Sequence, residues 1–193
     1  MRLFLAYDFE NDFLLKIEKI SSLLKDEFKE NLNFGKSLKI NFVDPSLMHI
    51  TLKFLEDENP EIIINSLIKS LDNFSLNNQE FFLSGLDAFP NKKQPKVIVL
   101  PVLDEKKIIE NKFNEIEKIL DNIGIKKEQR SFKPHLTIAR VKYADFNCFN
   151  NFKYWGKLIG FEENKLIFKL NKLKLYQSIL TPQKPIYKVI YEF

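Results

Sequence analysis

Met48-His49-Ile50-Thr51-Leu52-Lys53-Phe54-Leu55 and Phe132-Lys133-Pro134-His135-Leu136-Thr137-Ile138-Ala139-Arg140 carry the only two histidines of this 193-residue chain, and each histidine opens the same four-residue pattern. The chain holds three threonines. A Thr two places after a given His therefore arises by chance about once in sixty, and twice about once in several thousand. Side chains alternate across a strand, so in each copy His and Thr share one face. Ile50 and Leu52, or Leu136 and Ile138, turn to the other face and anchor the strand in core. A single histidine on a strand is ordinarily a satisfied structural residue. The repetition shifts that reading, and neither copy has the Gly or Asn of a repeated turn.

Outward from the two motifs, strands alternate with amphipathic helices. Arg2–Phe9 reads as a buried strand, followed by a helix whose apolar stripe runs through Phe13, Leu14, Ile17, Ile20, Leu24 and Phe28. Lys39–Val43 and Met48–Leu55 are strands on either side of the turn at Asp44-Pro45-Ser46. A helix opens at Pro60 and should end near Phe74. Glu80–Ala88 and Lys96–Val102 form a hairpin around the polar loop from Pro90 to Pro95. Asp104 caps a helix that ends at Gly124. His135–Val141 is a strand, followed by an irregular or helical stretch through Trp155. Glu163–Leu170, Lys172–Ile179 and Ile186–Phe193 are the closing strands. The class is α+β or α/β, and with no Gly/Ser- or Pro-rich linker the expectation is one domain over residues 1–193.

Composition narrows the function little. Thirty basic residues against 26 acidic ones give a net charge of +4, which permits a polyanionic partner without requiring one. Cys148 stands alone, so no intramolecular disulfide can form, and it is read as structural. Asp8 and Glu10 interrupt the apolar start before a signal-peptide core could form, and no stretch reaches membrane-spanning length, so a soluble, cytoplasmic, membrane-free protein is expected, with a monomer as the default.

Two motifs facing one another would set two titratable rings and two hydroxyl donors around a small polar cavity, which suits a phosphate. Phosphodiester hydrolysis needs a base to deprotonate water, an acid for the departing oxygen, and donors for the remaining oxygens. Histidine suits both proton roles, because its ordinary pKa of about 6.5 lets one ring be neutral and the other charged near neutrality. Two histidines, one cysteine and no acid inside either motif give little support for a zinc site, so neither metal nor cofactor is expected. Lys53 shares its phase with His49 and Thr51 and should line the same cavity. Arg140 lies five places after His135, which by alternation puts it on the opposite face.

These residues resemble the two-histidine (2H) phosphoesterases, and within them the RNA 2′,3′-cyclic phosphodiesterases, also called 2′-5′ RNA ligases. The resemblance runs nearly the full length. It takes in Met1-Arg2-Leu3-Phe4-Leu5-Ala6, both motif blocks and Phe89-Pro90. It implies a bilobal α+β fold: two antiparallel sheets flanking a central cleft, helices outside, one motif from each lobe. It further implies His49 as proton donor, His135 as proton acceptor, Thr51 and Thr137 on the phosphate, and Arg140 as a phosphate contact, brought round by strand twist or the strand end. Its implied substrate is RNA with a 2′,3′-cyclic phosphate end or a cyclic nucleotide, opened to a 2′-phosphate. Lys53 would then attract the RNA backbone, and Phe132 would pack or stack on a base. Phe42, the strand Val97–Leu100 and Lys184 depart from the family pattern at the rim. The alternatives are a 2H enzyme acting on 2′-5′-linked oligonucleotides or an ADP-ribose cyclic phosphate, and an RNA-end-binding module without turnover.

Overall fold

The computed structural model describes residues 2–32, 38–70, 76, 79–144, 166–182 and 184–193. Strand β1 (Arg2–Phe9) is apolar on both faces, with Leu3 to Tyr7 all buried, so it must run inside a sheet covered on both sides. It lies in an antiparallel four-stranded sheet whose other members are β3 (Ile50–Glu56), β9 (Leu170–Ile179) and β10 (Ile186–Glu192). Their order is β10-β9-β1-β3.

The second sheet is ordered β2 (Leu38–Phe42), β7 (His135–Ala144), β6 (Val97–Leu103), β4 (Phe81–Leu83), β8 (Leu166–Phe168). The short β5 (Asp87–Phe89) pairs with β6 beside β4. Among the described residues three α-helices pack on this framework. On α1 (Asn11–Leu32) Phe13, Ile17, Ile20 and Leu24 are buried, on α2 (Pro60–Ser70) Ile63 and Leu67, and on α3 (Ile108–Asp121) Ile109, Phe113, Ile116, Ile119 and Leu120. These spacings are those of one apolar helical face. The stripes join the inner faces of both sheets in one continuous core. This is the α+β architecture expected from the sequence.

Several boundaries differ from the sequence reading. The strand expected over Glu80–Ala88 is broken at Gly85, whose φ of +65° turns the chain, and the pieces β4 and β5 each pair with β6. Helix α1 runs past Phe28 to Leu32. Helix α2 is described to Ser70; residues 71–75 and the stretch expected to lead to Trp155 lie outside the described residues. Asp104 does serve α3, its carboxylate accepting from the backbone N–H groups of Ile108 (2.7 Å) and Glu110 (2.9 Å). The helix ends at Asp121, three residues before the expected Gly124, where the chain turns with φ +87°.

The register of the two motif strands is the feature that builds the site. On β1, Tyr7 faces Ile50 and Ala6 faces Thr51; then Leu5 faces Lys53 and Phe4 faces Phe54, so Leu52 is an unpaired extra residue. On β6, Leu100 faces Leu136 and Val99 faces Thr137; then Ile98 faces Ala139 and Val97 faces Arg140, leaving Ile138 over. Each copy thus has a β-bulge at its fourth residue. A one-residue slip exchanges the faces for everything that follows.

Candidate active site

Each histidine sits just where its chain enters a motif strand, and each is oriented in the same way. His49 Nδ1 is 2.8 Å from the carbonyl oxygen of Leu47, and His135 Nδ1 is 2.6 Å from that of Lys133. A carbonyl can only accept, so Nδ1 carries the hydrogen on both rings and Nε2 is the nitrogen left for proton transfer. The two carbonyls are themselves held. Leu47 ends a one-turn 3-10 helix (Pro45–Leu47), started by Asp44 accepting from the Ser46 N–H at 3.1 Å and the Ser46 hydroxyl at 2.7 Å. Lys133 lies between Phe132, stacked on Phe113 of α3 at 4.3 Å, and Pro134, whose carbonyl accepts from the Val102 N–H at 2.9 Å. Phe132 therefore packs against the helix.

The bulges decide which neighbours join the histidines. Cross-strand partners project to the same side, so Arg140, opposite Val97, lies on the face of Thr137 and Val99. The bulge at Ile138, rather than twist or the strand end, brings it round. Lys53 is moved the other way. Opposite Leu5 it lies on the core face, where Nζ donates to Glu117 Oε1 at 2.5 Å and to the carbonyl of Lys126 at 2.8 Å. Its expected place in the cleft is corrected: simple alternation fails at Leu52, and Phe54 takes the position that Lys53 was given.

Around His49 the ring contacts are Phe4 (centroids 4.9 Å), Tyr187 (5.3 Å) and Tyr176 (6.4 Å), with Phe4 and Tyr176 stacked at 5.1 Å. His135 meets Phe89 edge-on at 4.8 Å. Phe4 and Phe89 stood in the sequence reading only as parts of family blocks, with no role beside a histidine, and Tyr176 and Tyr187 had no role there at all. They come from β1, β9, β10 and β5, and a local motif carries no signal for cross-strand neighbours. Asp8, half-buried, is held by Lys174 Nζ at 2.7 Å and the Tyr176 hydroxyl at 3.3 Å. Burial raises the pKa of Tyr176.

Burial holds the His49 imidazole down at about 4, and the nearby positive charge of Arg140 and the His135 ring push the same way, while the Leu47 carbonyl and Asp8 oppose them. Both Arg140 and His135 of the second motif act on the His49 ring of the first. His135 is also lowered, again by burial, against the Lys133 carbonyl. Among the described residues no three His, Cys, Asp or Glu side chains group closely enough to hold a metal ion.

An acid-stability prediction follows from His49. The unfolded chain carries this imidazole near its ordinary value of about 6.5, whereas the folded protein holds it at about 4. Between those values only the unfolded state keeps the proton, so stability is lost as pH falls from about 6.5 to about 4, by about 3 kcal/mol in all. Urea unfolding across that range should show His49→Gln losing correspondingly less than wild type. Equal losses would refute the buried neutral imidazole.

The model of a family described as LigT like Phosphoesterase matches residues 24–99 and 101–187. The chain belongs to the LigT-like phosphoesterase family. A relative from Methanocaldococcus jannaschii, named RNA 2′,3′-cyclic phosphodiesterase, is 34% identical over 196 residues, covering 100% of both chains. One of the same name from Aquifex aeolicus is 32% identical over 173 residues, covering 87% of this chain and 89% of the relative. Among solved structures, a Thermus thermophilus protein superposes with a TM-score of 0.68 at 22% identity, covering 100% of this chain and 97% of its own. E. coli LigT complexed with 3′-AMP gives 0.70 at 15% identity, with coverages of 100% and 97%. At these identities the likeness is one of fold, and it matches the LigT-like arrangement of two antiparallel sheets. No described helix of this LigT-like chain is long and apolar enough to cross a membrane.

Proposed function

We propose that this chain hydrolyses 2′,3′-cyclic phosphate ends of RNA and nucleotides to 2′-phosphates without a metal, with His49 as proton donor and His135 as proton acceptor. The observation that carries the reading is the matched pair of imidazoles, each tied through Nδ1 to a backbone carbonyl two residues back, with Arg140 turned by a bulge onto the motif face. Full-length identity of 34% to a relative named RNA 2′,3′-cyclic phosphodiesterase supports it. Both motifs come from one chain, and we take the enzyme to act as a cytoplasmic monomer.

In this mechanism His135 Nε2 accepts a proton from the attacking water while the new P–O bond forms. The bond from phosphorus to the 3′ oxygen breaks, and the Nε2–H of His49 protonates that oxygen, leaving a 2′-phosphate and a 3′-hydroxyl. Thr51, Thr137 and Arg140 hold the other phosphate oxygens as charge builds on them. Lys53 takes no part.

The buried His49 ring must gain a proton before it can act as the acid. In the free protein its pKa of about 4, set first by burial, leaves it neutral at pH 7. An anionic cyclic phosphate reverses the push of Arg140 and draws a proton onto the ring. Because kcat/KM reports the free enzyme and kcat the complex, the kcat bell should lie at higher pH than the kcat/KM bell, whose optimum falls below about 6.5. Superimposable profiles would remove this coupling.

The deciding experiment is hydrolysis of a nucleoside 2′,3′-cyclic phosphate in EDTA with identification of the isomer formed. Turnover to the 2′-phosphate is expected. A 3′-phosphate product would exchange the bond broken, and no turnover would sink the reading.

A further inference from the structure

Beside His135 lies a cavity of about 440 Å³, lined by Asp87, Ala88, Phe89, Pro90, Lys92, Lys93 and their neighbours Asn91 and Lys133. It shares two residues with the imidazole's own surroundings. Phe89 meets the His135 ring edge-on at 4.8 Å, and the carbonyl of Lys133 accepts from His135 Nδ1 at 2.6 Å. The cavity therefore opens next to the point where the cyclic phosphate would be cut.

Its charge is lopsided. Three lysines line it against one carboxylate, Asp87, which sits 3.6 Å from Lys92 Nζ in an exposed pair worth little in water. The loop that carries Lys92 and Lys93 is ordered rather than trailing. The Lys96 N–H donates to the carbonyl of Phe89 at 2.7 Å, and the Asn91 side chain accepts from the N–H groups of Lys93 and Gln94, each at 2.9 Å. Ala88, Phe89 and Pro90 supply an apolar part of the lining. Cations beside an apolar, partly aromatic wall are what a single-stranded nucleic acid meets in its binding grooves.

We propose that this cavity is a subsite for the body of an RNA chain, taking the phosphodiester and nucleoside that precede the cyclic end. The inference rests on the cyclic-phosphodiesterase reading and adds to it the place, at Lys92 and Lys93, where the chain preceding the cyclic end is held. A mononucleoside cyclic phosphate fills only the space between the two histidines and leaves the lysines unused. An oligomer engages both, and its binding carries the salt dependence of the neutralised phosphates.

The test compares wild type with Lys92→Gln/Lys93→Gln, leaving Lys133 intact because its carbonyl holds His135. Two ligands are used in two arms: turnover of a nucleoside 2′,3′-cyclic phosphate and of an oligoribonucleotide ending in one, and equilibrium binding of the corresponding 2′-phosphates over a salt series. The variant should raise KM and Kd for the oligomer about tenfold, lower the salt slope of its binding by about 0.7, as for one neutralised phosphate, and leave the mononucleotide within twofold. Unchanged oligomer binding, or equal weakening of both ligands, overturns the subsite. If neither cyclic substrate is turned over by wild type, the catalytic reading falls, and the binding arm still decides between these outcomes.

Discussion

Replacing His135 by alanine is expected to lower kcat on a 2′,3′-cyclic phosphate by about 10²- to 10⁴-fold while leaving binding of the 2′-phosphate product within a few-fold of wild type. The base role lies in one nitrogen, and removing it abolishes proton transfer without touching Thr51, Thr137 or Arg140. His49→Ala should reduce kcat by a similar factor, and the double variant should be no slower than the poorer single one, because acid and base act in the same step. His135 is the cleaner test. His49 also packs on Phe4 and Tyr187, so its removal opens a gap among aromatics. Single-turnover rates and product Kd separate the two effects, and wild-type kcat in either single variant would end the acid–base assignment.

Lys53→Met should destabilise the fold by about 3–5 kcal/mol, the usual effect of removing one partner of a buried ion pair. Lys53 and Glu117 are 5% and 6% exposed, and the second carboxylate oxygen of Glu117 accepts from the Glu128 N–H at 2.7 Å. Without Lys53, that carboxylate is left in the interior with a backbone amide to meet it. The double variant Lys53→Met/Glu117→Leu should recover most of the loss, since a buried pair is often no more stable than apolar residues of like volume. Urea midpoints for the two variants check this. A loss below about 1 kcal/mol in Lys53→Met would show that the pair is dispensable.

The same pair shows where the sequence was legible and where it was not. Strands announced themselves as apolar runs, as in β1, helices through period, as in α3, and the repeated His-x-Thr pattern exposed both histidines. The faces of Lys53 and Arg140 did not follow from period, because a bulge is a property of pairing with β1 or β6, and nothing in Leu52 or Ile138 marks them as the unpaired residues. The break at Gly85 had a signal in the glycine itself. The aromatic surroundings of His49 had none, since Phe4, Tyr176 and Tyr187 meet only when three strands align.

The matched bulges bear on handedness of reaction. Two strands bearing only His-x-Thr would form a chamber that looks the same after its halves are interchanged, and a cyclic phosphate could enter it in either of two orientations with equal ease. Under the proposed mechanism, the residue that each bulge turns to the motif face would break the tie. It is Phe54, 69% exposed, on one side and the Arg140 cation on the other. A reaction that must cleave one of two chemically similar ester bonds needs such a bias, and under the proposed mechanism one extra residue per strand would supply it.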